Sequence, residues 1–152
     1  MSERLGLAKA YETALFAGRM EEVGRLLTDD VVYWVAGRPP LGGEWHGREA
    51  LLRAFSGREF GLGAANWGYE EVWRTWYEAD ERVIVEIRER SWLESAPDDV
   101  MDQRTCVVIR FRGERICEMR DYTDASLYEA FLDRHRGELP KFKEREAAAS
   151  PR

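Results

Sequence analysis

Apolar and polar residues change their spacing along this chain, and the changes divide it into elements. Leu5, Ala8, Tyr11, Leu15 and Phe16 recur at three- and four-residue intervals, so Leu5 to Ala17 predicts a helix with one covered face. Gly18 ends it, and Met20 to Leu27 predicts a second, shorter helix. Thr28-Asp29-Asp30 breaks that pattern and leads into Val31-Val32-Tyr33-Trp34-Val35, a strand rich in β-branched and aromatic residues. Prolines and glycines between Gly37 and Gly43 make a loop. Arg48 to Phe55 predicts a third helix, with Gly57 as its stop.

From Asn66 onward the period becomes two. Trp67 to Tyr77 predicts a long strand, Ala79-Asp80 a turn, and Arg82 to Leu93 the returning strand. Ser95 to Asp99 predicts the next turn, followed by a hairpin of Arg104 to Phe111 and Glu114 to Tyr122 around Arg112-Gly113. Asp124 is placed to cap a last helix, Ala125 to Arg134. Helices followed by a run of antiparallel strands indicate an α+β protein. If such a sheet curves strongly around the helices, it encloses a lined cavity.

With Arg112 and Gly113 as the turn residues, Arg104 opposes Asp121, Cys106 opposes Met119 and Val108 opposes Cys117. That face is apolar apart from one Arg–Asp pair. The other face, with Thr105, Val107, Ile109, Phe111, Ile116 and Tyr122 beside Glu118 and Arg120, is also mostly apolar. A sheet apolar on both sides is covered on both sides. The chain's own helices can cover one side, and a second subunit the other, so a homodimer through the outer face is expected.

Composition narrows the function classes. A chain of 152 residues suggests a single domain over residues 1–136, with the Lys/Glu/Ala-rich segment 137–152 as a flexible tail. Hydrophobic content of 44% with 34% charged residues fits a soluble globular protein. The net charge of −6, without a uniform basic stretch, argues against nucleic acid as a partner. A membrane span needs about 18 consecutive apolar residues, and the sequence holds no such run. Met1-Ser2-Glu3-Arg4 does not open a signal peptide. Cys106 and Cys117 make no metal or redox motif, and they read as free thiols in a reducing cytoplasm. His46 and His135 are the only histidines, so neither a metal cluster nor a histidine-based triad is expected. Six Trp within an aromatic share of 12% imply a large core or an aromatic-lined cavity.

The candidate chemistry centres on Arg120-Asp121-Tyr122-Thr123-Asp124. Asp121 lies two residues beyond Met119 on one strand face, so covering that face buries a carboxylate. Burial raises a carboxyl pKa and makes a better proton acceptor, whereas a cation within about 4–6 Å lowers it. Arg82 and Arg104 are the candidate cations. If they dominate, Asp121 suits polarising a water or forms only a structural ion pair. If burial dominates, it suits removing a proton next to a carbonyl.

The order of elements, with Asp30-Val31-Val32-Tyr33, Gly47-Arg48-Glu49-Ala50, Glu81-Arg82-Val83, Arg112-Gly113-Glu114-Arg115-Ile116 and Arg120-Asp121-Tyr122, resembles the nuclear-transport-factor-2-like superfamily over roughly residues 5 to 133. That superfamily includes ketosteroid isomerases, SnoaL-like cyclases and limonene epoxide hydrolases. The resemblance implies a cone-shaped curved sheet with a deep apolar pocket, dimerised through its outer face. The motif is most similar to the limonene epoxide hydrolase branch. There Asp121 matches the water-activating base, Tyr33 a tyrosine that holds the water, and Arg82 the arginine bridging to a second acid. Val35 stands in place of an asparagine and Ile84 in place of that acid. Epoxide opening near neutral pH needs a proton donor. Glu86, on the same strand face as Arg82 and Ile84, is the substitute candidate, or else pairs with Arg74, Arg88 or Arg90 in a solvated ladder.

The expected pocket lining is Tyr11, Leu15, Val35, Trp73, Ile84, Cys106, Met119 and Phe131 beside Tyr33. It implies a small, mostly apolar ligand. Two function classes follow. One is a cofactor-free isomerase, cyclase or hydrolase with Asp121 as general base and Arg104 or Glu86 in support. The other is a non-catalytic ligand-binding or dimerisation module.

Overall fold

The computed structural model describes residues 2–39, 42–56 and 67–136. Gly57 and the tail from residue 137 lie outside the described residues. Helix α1 (Glu3–Phe16) starts at Ser2, whose side chain accepts the Leu5 N–H at 3.2 Å, and it buries Ala8, Tyr11 and Ala14. Gly18, at φ 72°, takes the left-handed conformation that lets the chain leave α1 for α2 (Met20–Arg25). Then follow β1 (Leu27–Val35), β2 (Gly43–His46) and α3 (Arg48–Ser56). The long strands are β3 (Trp67–Ala79), β4 (Arg82–Leu93), β5 (Ala96–Arg112) and β6 (Arg115–Thr123), and α4 (Ala125–Arg134) closes the described chain. Asp124 caps α4 by accepting the Leu127 N–H at 3.2 Å.

One curved, unclosed sheet carries all six strands in the order β2-β1-β6-β5-β4-β3. Strands β1 and β6 run parallel and the other neighbours antiparallel. Residues paired across a sheet share a face, so the register defines two surfaces. Val83, Ile109, Met119 and Tyr33 form one row, and Val85, Val107, Asp121 and Val35 the next. These rows face the helices. Ala8, Tyr11, Val23 and Leu51 pack with Val83, Ile109, Phe111, Ile116 and Met119 in the main core. A second cluster joins Leu93 and Met101 to Tyr128 and Phe131 of α4. Helix α4 is pinned by Arg134, which donates to both Asp99 oxygens at 3.0 Å, and by His135 Nε2 at 2.7 Å from Asp99 Oδ2.

Four expectations change. Strand β1 begins at Leu27, so Thr28-Asp29-Asp30 lies inside it and not ahead of it. Trp45 lies in strand β2, not in a loop, and pairs with Tyr33. Strand β5 begins at Ala96, within the segment expected to turn. Its alternation continues through residues 101–105, but two of the buried members, Gln103 and Thr105, are polar and hide the strand from an apolar-pattern reading. Finally, the last hairpin turns at Gly113-Glu114, since Arg112 pairs with Arg115. That shift alone moves each pairing by two residues and preserves the faces. A bulge then places one extra residue, Cys117, between the pairs Phe111–Ile116 and Arg110–Glu118. A one-residue slip flips every later side chain relative to its partner. Asp121 therefore pairs with Val107, not Arg104, and Met119 with Ile109, not Cys106.

Candidate functional site around Asp121

Asp121 projects from β6 onto the helix-covered face, in the row of Val85, Val107 and Val35. The Tyr33 hydroxyl donates to its Oδ2 at 2.9 Å across the parallel β1–β6 pair. Its Oδ1 is buried and has no hydrogen-bond partner among the described residues. Burial pushes the Asp121 carboxyl up to about 6; the Tyr33 hydrogen bond and the Thr123 backbone N–H pull against the rise, and the Glu89 charge adds to it. No Arg, Lys or His forms an ion pair with Asp121 among the described residues. Between the two electrostatic outcomes left open by the sequence, desolvation prevails.

Tyr11 of α1 lies close enough for the Asp121 charge to act on it, and its hydroxyl is pushed far above its usual range by burial first and that charge second. Tyr33 is raised in the same sense by burial, then by Asp121 and Tyr11. Both phenols keep their protons at neutral pH and serve as hydrogen-bond donors. The Tyr33 ring is braced by Trp45 and Phe55, with centroids at 6.0 and 5.9 Å. Val35 and Met119 are buried on the same face as Asp121. Tyr11, Tyr33, Val35, Met119 and Asp121 are thus brought together.

Other candidates are not. Arg82, Ile84 and Glu86 alternate with Val83 and Val85 and lie on the opposite, outer face. Cys106 pairs with Glu86, and Arg104 with Arg88, on that outer face as well. Trp73 joins them, opposite Arg88, beyond a bulge in β3. Arg82 consequently cannot bridge to Asp121 through the sheet, and neither Arg104 nor Glu86 supports it. Glu86 instead accepts the Tyr77 hydroxyl at 3.0 Å. Leu15 packs on the main core, and Phe131 lies in the second cluster under α4.

The sequence reading missed Glu89. It sits on the inner face, paired with Gln103 of β5, whose Nε2 donates to Glu89 Oε1 at 2.5 Å. Gln103 is 5% exposed, and Thr123 Oγ1 donates to its Oε1 at 3.5 Å. The run Val83-Ile84-Val85 is apolar on both faces, so alternation alone did not say which of Arg88, Glu89 and Arg90 turns inward. Among the described residues, no group of three or more His, Cys, Asp and Glu could hold a metal.

A family model described as the SnoaL-like domain matches residues 8–119. No curated protein matches the sequence. Among solved structures, an NTF2-like protein from Burkholderia xenovorans is 18% identical with a TM-score of 0.72, over 85% of this chain and 95% of that one. An NTF2-like protein from Burkholderia pseudomallei is 20% identical with a TM-score of 0.70, over 87% and 98%. An LEH-like epoxide hydrolase from M. tuberculosis is 17% identical with a TM-score of 0.61, over 86% and 90%. At these identities the likeness concerns the fold.

Proposed function

The chain belongs to the SnoaL-like domain family, and from that premise we propose that it is a cofactor-free enzyme in which Asp121 acts as general base on a small, mostly apolar molecule. The observation that carries this reading is the Asp121 carboxyl: one oxygen fixed by Tyr33, the other buried without a partner among the described residues, on a face lined by Val35, Val85, Val107 and Met119. An orphaned buried acceptor costs about 1–3 kcal/mol. A substrate proton or a water recovers that loss.

A base with a pKa near 6 suits the task. It is ionised at pH 7 by roughly ten to one, yet holds a proton far better than an ordinary aspartate. Oδ1 takes the proton, and Tyr33 fixes the carboxylate plane. Removing a proton beside a carbonyl leaves negative charge on the carbonyl oxygen, which needs a donor. The Tyr11 hydroxyl supplies it. Tyr33, Val107, Asp121 and Thr123 are half-buried.

A structural ion pair between Asp121 and Arg82, the alternative reading of a non-catalytic module, has no geometric support because the two side chains leave opposite faces. The outer face supports a homodimer. Tyr77 and Tyr122 are 47% and 46% exposed there, beside Trp34, Ile84 and Val108. We place the protein in the cytoplasm on its two free cysteines.

Deuterium uptake by a panel of small enolisable ketones in D2O, followed by NMR, tests the reading. Wild-type protein should accelerate uptake for at least one member, and Asp121→Asn should abolish it. Equal rates in the two proteins would refute the base assignment.

A further inference from the structure

Glu89 stands apart, because among the described residues its carboxylate makes no ion pair and accepts from a neutral amide. The Gln103 amide donates to it at 2.5 Å, and the Tyr69 hydroxyl lies near enough for the Glu89 charge to act on it. Tyr69, Glu71 and Glu89 share the inner face, since Tyr69 pairs with Ser91 and Glu71 with Glu89. Arg74 is the nearby cation, and all three of its guanidinium nitrogens are engaged elsewhere. Nη1 pairs with Glu12 of α1, while Nε and Nη2 donate to Glu71 Oε2 at 3.1 and 2.9 Å. Three carboxylates, Glu12, Glu71 and Glu89, therefore share one guanidinium, and among the described residues Glu89 is the one that makes no ion pair with it and feels Arg74 only through its charge.

A second, independent feature lies on the same face. Asp121 Oδ1 is a buried acceptor with no partner among the described residues. Gln103, buried and bonded to Glu89, connects through Thr123 to the strand segment that carries Asp121. The inner face thus presents two carboxylates, neither in an ion pair among the described residues. Like charges on one face repel, and burial adds a desolvation cost at Asp121. A cation arriving with the ligand relieves both costs. The faces of the Tyr69 and Tyr33 rings are electron-rich and belong to the same surface.

We infer that Glu89, oriented by Gln103 and with Tyr69 beside it, is the subsite for a protonated amino group of the ligand. The inference rests on the reading of the inner face as a ligand site, and it narrows the ligand to a small apolar body bearing an ammonium end. The ammonium docks at Glu89 and the apolar body runs along Val107 and Val85 toward Asp121. A carboxylate held ready by a neutral donor needs no rearrangement to receive it.

Binding of cyclohexylmethylammonium and of cyclohexylmethanol, close in shape and different in charge, tests the assignment by NMR titration at pH 7. The amine should bind wild-type protein at least ten-fold more tightly. Glu89→Gln should bind the two alike, and Asp121→Asn should retain most of the preference. Equal affinities in wild-type protein, or an undiminished preference in Glu89→Gln, would overturn the subsite. Should Glu89→Gln fold poorly, carboxyl-labelled wild-type protein gives the answer: the Glu89 resonance must move with the amine and stay put with the alcohol. Failure here with Asp121-dependent deuterium uptake intact would reject the ammonium subsite alone. Loss of that uptake with the amine preference intact would reject the base assignment alone.

Discussion

The Tyr33 hydroxyl meets Asp121 Oδ2 at 2.9 Å although Tyr33 pairs in the sheet with Met119, two residues before the aspartate. The long phenol reaches diagonally along the parallel β1–β6 pair and arrives at a carboxylate that its own row does not contain. This contact fixes one oxygen of Asp121, and the other has no hydrogen-bond partner among the described residues.

That bond favours the ionised carboxylate and lowers its pKa. Tyr33→Phe should therefore raise the Asp121 pKa further, and the acid limb of the pH–rate profile for deuterium uptake should move to higher pH. Loss of a hydrogen bond to a charged group should also cost about 1.5–3 kcal/mol of stability. An unmoved acid limb in Tyr33→Phe would contradict the contact's role.

Asp121 also sets a pH dependence of stability. Its folded pKa is raised from 3.8 to about 6, so between those values the folded state binds more protons than the unfolded. Stability should fall as pH rises through that window, by on the order of 2–3 kcal/mol, and stay reduced above it. Asp121→Asn should remove this contribution and be the more stable protein at pH 7–8 in urea titrations. Parallel pH–stability curves for the two proteins would count against a buried, raised carboxyl.

Arg82→Gln separates the motif from the geometry. Its side chain is exposed on the outer face, across the sheet from Asp121. Deuterium uptake should stay within two-fold of wild type, and stability within about 0.5 kcal/mol. A loss of rate comparable to that of Asp121→Asn would mean that Arg82 reaches the base after all.

The outer face predicts its own phenotype. Tyr77→Glu combined with Tyr122→Glu places charge in the exposed apolar surface beside Trp34. Sedimentation should find a dimer for wild type and a monomer for the double variant. Wild-type monomer at micromolar concentration would remove the dimer from the account.

The sequence made most of the architecture legible because each long strand alternates and each helix repeats at three to four residues. Asp124 as a cap was readable from its place before Ala125-Ser126-Leu127, and the bond to Leu127 N–H follows. Tyr33 and Asp121 were readable as a pair through the family motif. The face of β5 that meets Asp121 was not. A single bulged residue, Cys117, decides it, and nothing in Ile116-Cys117-Glu118 announces a bulge when Glu118 and Arg120 alternate as well with Cys117 as without it. Cys106, Ile84 and Trp73 were assigned inward for the same reason: these strands carry apolar residues on both faces. Glu89 and Gln103 stayed hidden because polar residues on a covered face break the very alternation that identifies the face.

The most direct measurement is a carboxyl-carbon NMR titration of Asp121, assigned by its absence from the Asp121→Asn spectrum. The account predicts a midpoint close to 6, shifted upward again in Tyr33→Phe. A midpoint at or below the ordinary aspartate value, with no response to Tyr33→Phe, would contradict it.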